Sequence, residues 1–229
     1  MGSKRRIASE LNAIMQPYYN DYGVYVEPFV GGANMIKKVS HPNRIGYDSN
    51  EYIISYFNAL KDCWLPPKDV SEELYKDIKN NKDKFPKELV CFVGICCSFG
   101  GKWFGGYARD KVGNRNFANE GYNYAIKKDL PYIKDIKFYH KSYQELEFIE
   151  PTLIYCDPPY RNVTAYKDKF DHEQFYEWCH RQKSNRHKLF ISEYNMPNDF
   201  TCIWSKEQAI YLDNNTNTPQ HKIERLYTL

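Results

Sequence analysis

Apolar residues along the chain recur at two spacings, and the change from one to the other marks the elements. Ile7, Leu11, Ile14 and Met15 fall on one helical face and predict a short amphipathic first helix. A β-rich run over residues 24–29 predicts a strand that ends at Gly31-Gly32, with a helix beginning in 33–39 and a second strand over Arg44–Asp48. Asn50 opens a further helix carrying Ile53, Ile54, Phe57 and Leu60 on one face, and Pro66-Pro67 ends the pattern. Helices over Glu72–Asn80 and 87–97 come next. The stretch SFGGKWFGGYARDKVGNRNF (98–117) shows neither period and predicts a long loop or irregular hairpin. Loops longer than ~12–15 residues are usually functional or disordered.

Strand character returns at Ile136–His140 and at 152–157. The second contains the apolar run TLIYC, as expected of a central strand buried on both faces. Asp171, with Gln174 three residues on, reads as a capping box for a helix whose apolar face is Phe175, Trp178 and Cys179. Short strands over 189–192, 201–204, 209–212 and 223–227 follow. The alternation predicts an α/β sheet with helices on both faces and an antiparallel hairpin at one edge. Residues 65–135 interrupt it as an inserted region, leaving 1–64 and 136–229 as the main domain.

Composition changes this picture little. Within 229 residues, 21 Tyr, 13 Phe and 4 Trp give an aromatic share of 17%, most of it expected to pack in the core. A net charge of +3 does not by itself identify a nucleic-acid binder. No apolar run approaches the ~20 residues that span a bilayer. The basic N-terminus lacks the apolar segment of a signal peptide, so a soluble intracellular protein is expected. The seven cysteines show no CxxC or His-spaced pattern and read as free thiols, with no metal site.

Chemistry concentrates after the buried strand, at Asp157-Pro158-Pro159-Tyr160. Ligands of open α/β sheets bind at the carboxyl ends of strands. The two prolines fix the turn and leave the Pro158 carbonyl without a partner from the next residue. A carboxylate, a rigid carbonyl and a flat ring together suit a planar ring bearing an NH2 group. Asp157 and the Pro158 carbonyl each accept one amino hydrogen, and Tyr160 stacks on the ring face. The alternative is a plain capped turn, since Asp-Pro and Pro-Pro are common loop punctuation. Glu27-Pro28-Phe29-Val30-Gly31-Gly32 supplies a strand-to-helix turn that lets a ligand approach the backbone, or simply a tight turn. Asp48 ends the next strand, near the ~20-residue offset at which an acid binds ribose hydroxyls; it is equally placed to cap the helix after it.

The ordered set MGSK (1–4), EPFVGG (27–32), YD (47–48), KSY (141–143), YCDPPY (155–160) and KIERLY (222–227) resembles the Dam-like family of DNA adenine-N6 methyltransferases. The resemblance spans nearly the whole chain. It implies a Rossmann-like methyltransferase sheet that uses S-adenosyl-L-methionine, acts on double-stranded DNA, needs no metal, and works in the cytoplasm of a bacterium or a phage's host. It implies that Gly2, Ser3 and Lys4 help enclose the cofactor, that Phe29, Gly31 and Gly32 cradle it, and that Asp48 holds its ribose. Ser142 and Tyr143 match the segment contacting its adenine, and Asp157 through Tyr160 match the target-base site. Family members often carry an aromatic residue just before the segment matching 1–4, where this sequence begins. Methylation of cytosine N4 or of an RNA base amine uses similar chemistry, and a silent DNA-binding protein is the non-enzymatic counterpart. In this frame the insert reads DNA. Lys102, Arg109, Lys111 and Arg115 lie among Trp103, Phe104, Tyr107 and Phe117, with Asn114 and Asn116 available for base edges. An ordinary solvated loop is the competing reading, and KSNRHK (183–188) reads as a solvated helix end.

Overall fold

The apolar runs become the strands of one sheet. The computed structural model describes residues 4–110, 112–161, 170–210 and 220–229. Helix α1 (Ala8–Met15) buries Leu11 and Met15, as its spacing predicts. Strands β1 (Tyr25–Glu27) and β2 (Arg44–Asp48) precede helix α2 (Glu51–Lys61), which Asn50 caps through its side chain. The inserted region carries α3 (Glu72–Asn80), α4 (Lys87–Cys96), α5 (Phe117–Tyr124) and α6 (Leu130–Ile133). Strands β3 (Ile136–His140) and β4 (Leu153–Cys156) follow it. Helix α7 (His172–Ser184) then leads to β5 (Lys188–Glu193), β6 (Thr201–Ile210) and β7 (Gln220–Thr228).

The strand order is β3-β2-β1-β4-β5-β7-β6. Strands β1 to β5 run parallel, and β7 runs antiparallel to both β5 and β6. This is a Rossmann-like methyltransferase sheet with an antiparallel edge hairpin, the architecture expected from the sequence. The order reverses between β1 and β4, so their carboxyl ends frame the crevice in which such sheets bind ligands. Strand β4 is buried throughout. Leu153 and Tyr155 join the apolar cluster on one face, and Ile154 and Cys156 pack on the other with Phe175, Trp178 and Cys179 of α7. Burying each such large side chain stabilises the fold by roughly 1.5–3 kcal/mol.

Several expectations need correction. No helix forms over 33–39; the segment is a series of turns. Gly31 and Ala33 adopt φ of +46° and +54°, which turns the chain out of a helical path. Arg44 Nη1 then donates to the carbonyls of Ile36 (3.2 Å) and Val39 (3.1 Å), supplying partners that a helix would have supplied. Met35, Ile36 and Val39 are buried all the same, so their spacing reports burial rather than helix. The hairpin's outer strand is one ten-residue element instead of two short ones, with 211–212 outside the described residues. Its charged centre, Lys206-Glu207, lies on an exposed edge strand where no apolar pattern is required. The box at α7 is half made. Asp171 Oδ1 accepts from Gln174 N at 3.0 Å, while the Gln174 carboxamide turns to Gln144.

Helices α5 and α6 were not anticipated. Gly121 sits inside α5 because a Cβ there would come within 2.8 Å of Cys96 Cβ. A five-residue π turn (Ala125–Asp129) links the two helices. The 98–110 stretch is irregular, as expected, with one bridge between Ser98 and Tyr107. A single apolar cluster runs from β3 through α2 into α4 and α5, so the insert shares the core of the sheet. Among the described residues, no helix is long and apolar enough to cross a membrane, and no group of three His, Cys, Asp or Glu could hold a metal. The cysteines are free.

Candidate active site

A cavity of about 1020 Å³ opens at the carboxyl ends of β1, β2 and β4. The glycine turn forms its floor. Gly31 N–H donates to Asp48 Oδ2 and Asn50 N–H donates to Asp48 Oδ1, both at 2.9 Å. Asp48 is therefore not the helix cap; Asn50 is, accepting from Tyr52 N at 3.0 Å. Burial raises the Asp48 carboxyl above its ordinary range, against the two backbone donors that hold its charge. Each oxygen retains a lone pair, and the carboxyl lines the cavity. Phe29, also on the wall, packs against Tyr143, Phe170 and Phe175 at 5.3, 5.8 and 5.6 Å between ring centres. Ser142 caps a short turn in a true capping box with Glu145, which places Tyr143 and Gln144 on the same wall.

Across the cavity, Asp157 leaves β4 and meets Lys4. Lys4 Nζ lies 2.8 Å from Asp157 Oδ1 and 3.2 Å from Glu224 Oε1, with 4.5 Å to the centre of the Tyr160 ring. Burial alone would lower the Lys4 pKa, but the two carboxylates raise it, so it stays an ammonium. The Tyr160 hydroxyl bonds to both Lys4 and Glu224, and its ring meets Tyr194 edge to face at 4.6 Å. The tyrosine expected to stack on a ligand is thus anchored through its hydroxyl. Glu27 lies deeper, 2% exposed, and accepts from the Tyr25 hydroxyl at 2.8 Å; burial pushes its carboxyl well above the usual range. Glu193, at the end of β5, is likewise raised by burial, to about 7.

The structure brings Lys4, Phe29, Gly31, Gly32, Asp48, Ser142, Tyr143, Asp157 and Pro159 to one cavity. Gly2, Ser3 and Lys111 lie outside the described residues. Sequence reasoning gave no role to the buried acids Glu27, Glu193 and Glu224, although Glu27 opens EPFVGG. Glu224 sits inside KIERLY, and strand alternation would have turned it inward with Leu226. In the insert, Trp103 reaches the cavity and packs on Tyr52 at 5.4 Å, whereas Phe104 is buried. Lys102 is exposed. Arg109 pairs with Glu72, and Arg115 pairs with both oxygens of Glu120 at 2.8 and 2.7 Å. Asn116, expected to be available for a base edge, caps α5 by accepting from Asn119 N at 2.9 Å.

Sheet order and hairpin define the methyltransferase class of the Rossmann-like fold. Comparison with known proteins adds a family description: the D12 class N6 adenine-specific DNA methyltransferase profile matches residues 1–89. These residues carry Lys4, the glycine turn and Asp48. The type II methyltransferase M.FokI of Planomicrobium okeanokoites is 22% identical over 98% of this chain and 40% of its own length. The chain thus spans less than half of that curated relative. Solved structures that align with it include the putative methylase HI0767 from Haemophilus influenzae (TM-score 0.41, 11% identity, 100% of this chain and 90% of that chain). Another is SMU.472, a putative methyltransferase complexed with SAH (TM-score 0.39, 12% identity, 98% of this chain and 52% of that chain).

Proposed function

We propose that the chain methylates N6 of adenine in double-stranded DNA with S-adenosylmethionine, as a Dam-like enzyme. The observation that carries this reading is that Asp157 and Pro159 of the 157–160 turn line one cavity with the glycine turn and Asp48, while Pro158 and Tyr160 stand behind that lining. The residues fit the cofactor. Gly31 has a positive φ and open space where a Cβ would be, and the Asp48 carboxyl keeps acceptor capacity for ribose hydroxyls. Phe29, Gly32, Ser142 and Tyr143 would complete its walls, with Gly2 and Ser3 beside Lys4. When bound, the cofactor supplies an electrophilic sulfonium methyl group.

The chain's own residues do the rest. Asp157 and the Pro158 carbonyl accept the two amino hydrogens, which draws the nitrogen lone pair out of conjugation and aims it. That an N–H donor fits here is supported by the Lys4 ammonium, 2.8 Å from Asp157 Oδ1. The nitrogen held in this way would take the methyl group that the bound cofactor supplies, and would then lose a proton. Positioning and fixed charge account for the rate. A base reaches such a pocket only by leaving the duplex, at a cost of a few kcal/mol. Lys102, Arg109, Lys111, Arg115 and Asn116 would hold the DNA around it.

The test is incubation of unmodified DNA with the protein and methyl-labelled cofactor, followed by nucleoside analysis. N6-methyladenine is expected. Label in N4-methylcytosine, label only on RNA, or cofactor binding without product each refutes the adenine assignment.

A further inference from the structure

Two successive prolines remove the backbone donors of residues 158 and 159, so the middle of the 157–160 loop has no N–H group with which to brace itself. It is braced from outside. Glu193, 1% exposed, accepts Arg161 N–H through Oε1 at 2.6 Å and Tyr194 N–H through Oε2 at 2.5 Å, which fixes the loop's exit. His172, the first residue of α7, lies against the loop's middle. Its Nε2 is 3.0 Å from the Pro159 carbonyl oxygen and 3.9 Å from Glu193 Oε1. Phe170 meets the imidazole edge to face at 5.0 Å and fixes its plane. A carbonyl only accepts, so this contact is a hydrogen bond when Nε2 carries the proton.

We propose that His172 is a positioning residue, working with Glu193, that holds the Pro159 carbonyl so that Asp157 and the Pro158 carbonyl stay aimed at the target amine. The inference rests on the methyltransferase reading. Neither residue touches the reacting atoms; they act through the loop. A reacting group displaced by ~1 Å can lose on the order of 10²-fold in rate, so a single tether of this kind is visible in kcat.

Two substitutions separate tether from filler. His172→Phe keeps a ring beside Phe170 and removes the donor, whereas His172→Gln keeps an N–H donor. The expected result is a kcat at least tenfold lower for the Phe variant, with KM for S-adenosylmethionine changed less than twofold, and substantial recovery in the Gln variant. A Phe variant equal to the wild type, or a Gln variant no better than Phe, overturns the proposal. If the Phe variant does not fold, the ring 15N shifts of His172 in the wild-type protein decide. Protonated Nε2 is expected, and a ring protonated on Nδ1 alone overturns the tether whatever the activity. A folded wild-type protein that transfers no methyl group to DNA refutes the methyltransferase reading, and the 15N measurement still tests the tether.

Discussion

Lys4 and Arg115 are both basic side chains gripped by two carboxylate oxygens, yet they stand in different surroundings. Lys4 meets Asp157 and Glu224 with 7% of its side chain exposed; Arg115 meets the two oxygens of Glu120 with 55% exposed. At the sheet's end the desolvated charges are held by each other, because an unpaired charge there costs several kcal/mol. In the insert, water screens each pair, so it adds little to stability. Buried charge is therefore committed to geometry, while exposed charge can change partners. Each substitution below probes one side of that contrast, beginning where the effect is greatest.

Asp157→Ala removes the acceptor at the end of β4. Methyl transfer is expected to fall by on the order of 10²–10³-fold or more, the loss typical of one preorganised electrostatic partner. Cofactor affinity should persist, since Asp48 and the glycine turn are untouched; calorimetry against S-adenosylmethionine checks this. Turnover within tenfold of wild type would remove Asp157 from the chemistry. Lys4→Met breaks the same cluster from its cationic side. It leaves Asp157 and Glu224 facing each other without a counter-charge, and a loss on the order of 3 kcal/mol in denaturant unfolding is expected.

Glu193 tests burial through pH. Its folded-state pKa is about 7, raised from 4.5 chiefly by burial. A raised carboxyl contributes stability fully below its unfolded pKa and loses it as pH rises through the folded one. Between pH 4.5 and 7 the folded protein binds the extra proton, so stability falls as pH rises and flattens above 7. The full span amounts to on the order of 3 kcal/mol. Glu193→Gln, neutral at every pH, should lose this part of the slope, as read from unfolding midpoints at each pH. An unchanged slope would mean that the carboxyl titrates normally.

The sequence was most legible where one residue type answers one physical demand. The TLIYC run reads as a strand buried on both faces, and Asn50 before an amphipathic run reads as the opening of a helix. The glycine turn and Asp157 followed, because ligands of such sheets gather at strand ends. Illegible parts had split causes. Met35, Ile36 and Val39 look helical because they are buried, while Ala33 at φ +54° sends the backbone elsewhere. Gly121 hides α5 because it answers a contact with Cys96 from a distant segment. Glu193 carries no local signature, and only the tertiary structure shows that Glu224 meets Lys4 and that Glu193 holds the loop. The roles of Ser142 and Tyr143 came from resemblance alone, and their places on the wall give that resemblance a geometry to test.

The smallest expected effect lies in the insert, and it is the one that bears on DNA. Arg109→Ala and Arg115→Ala each remove an exposed pair, with Glu72 and Glu120 respectively. Stability should change little, because Glu72 keeps Lys76 as a partner and the freed Glu120 carboxylate is rehydrated. DNA affinity is a different quantity. If each guanidinium exchanges its glutamate for a phosphate, each substitution weakens binding and lowers the slope of log K against log salt by about 1. The glutamates sharpen the point, since Glu120→Gln frees Arg115 in advance and should tighten DNA binding where Arg115→Ala weakens it. Opposite signs from the two partners of one ion pair would identify a charge waiting for another anion. If both substitutions leave DNA affinity unchanged, Arg115 is an ordinary surface pair and the insert reads DNA, if it does, through other residues.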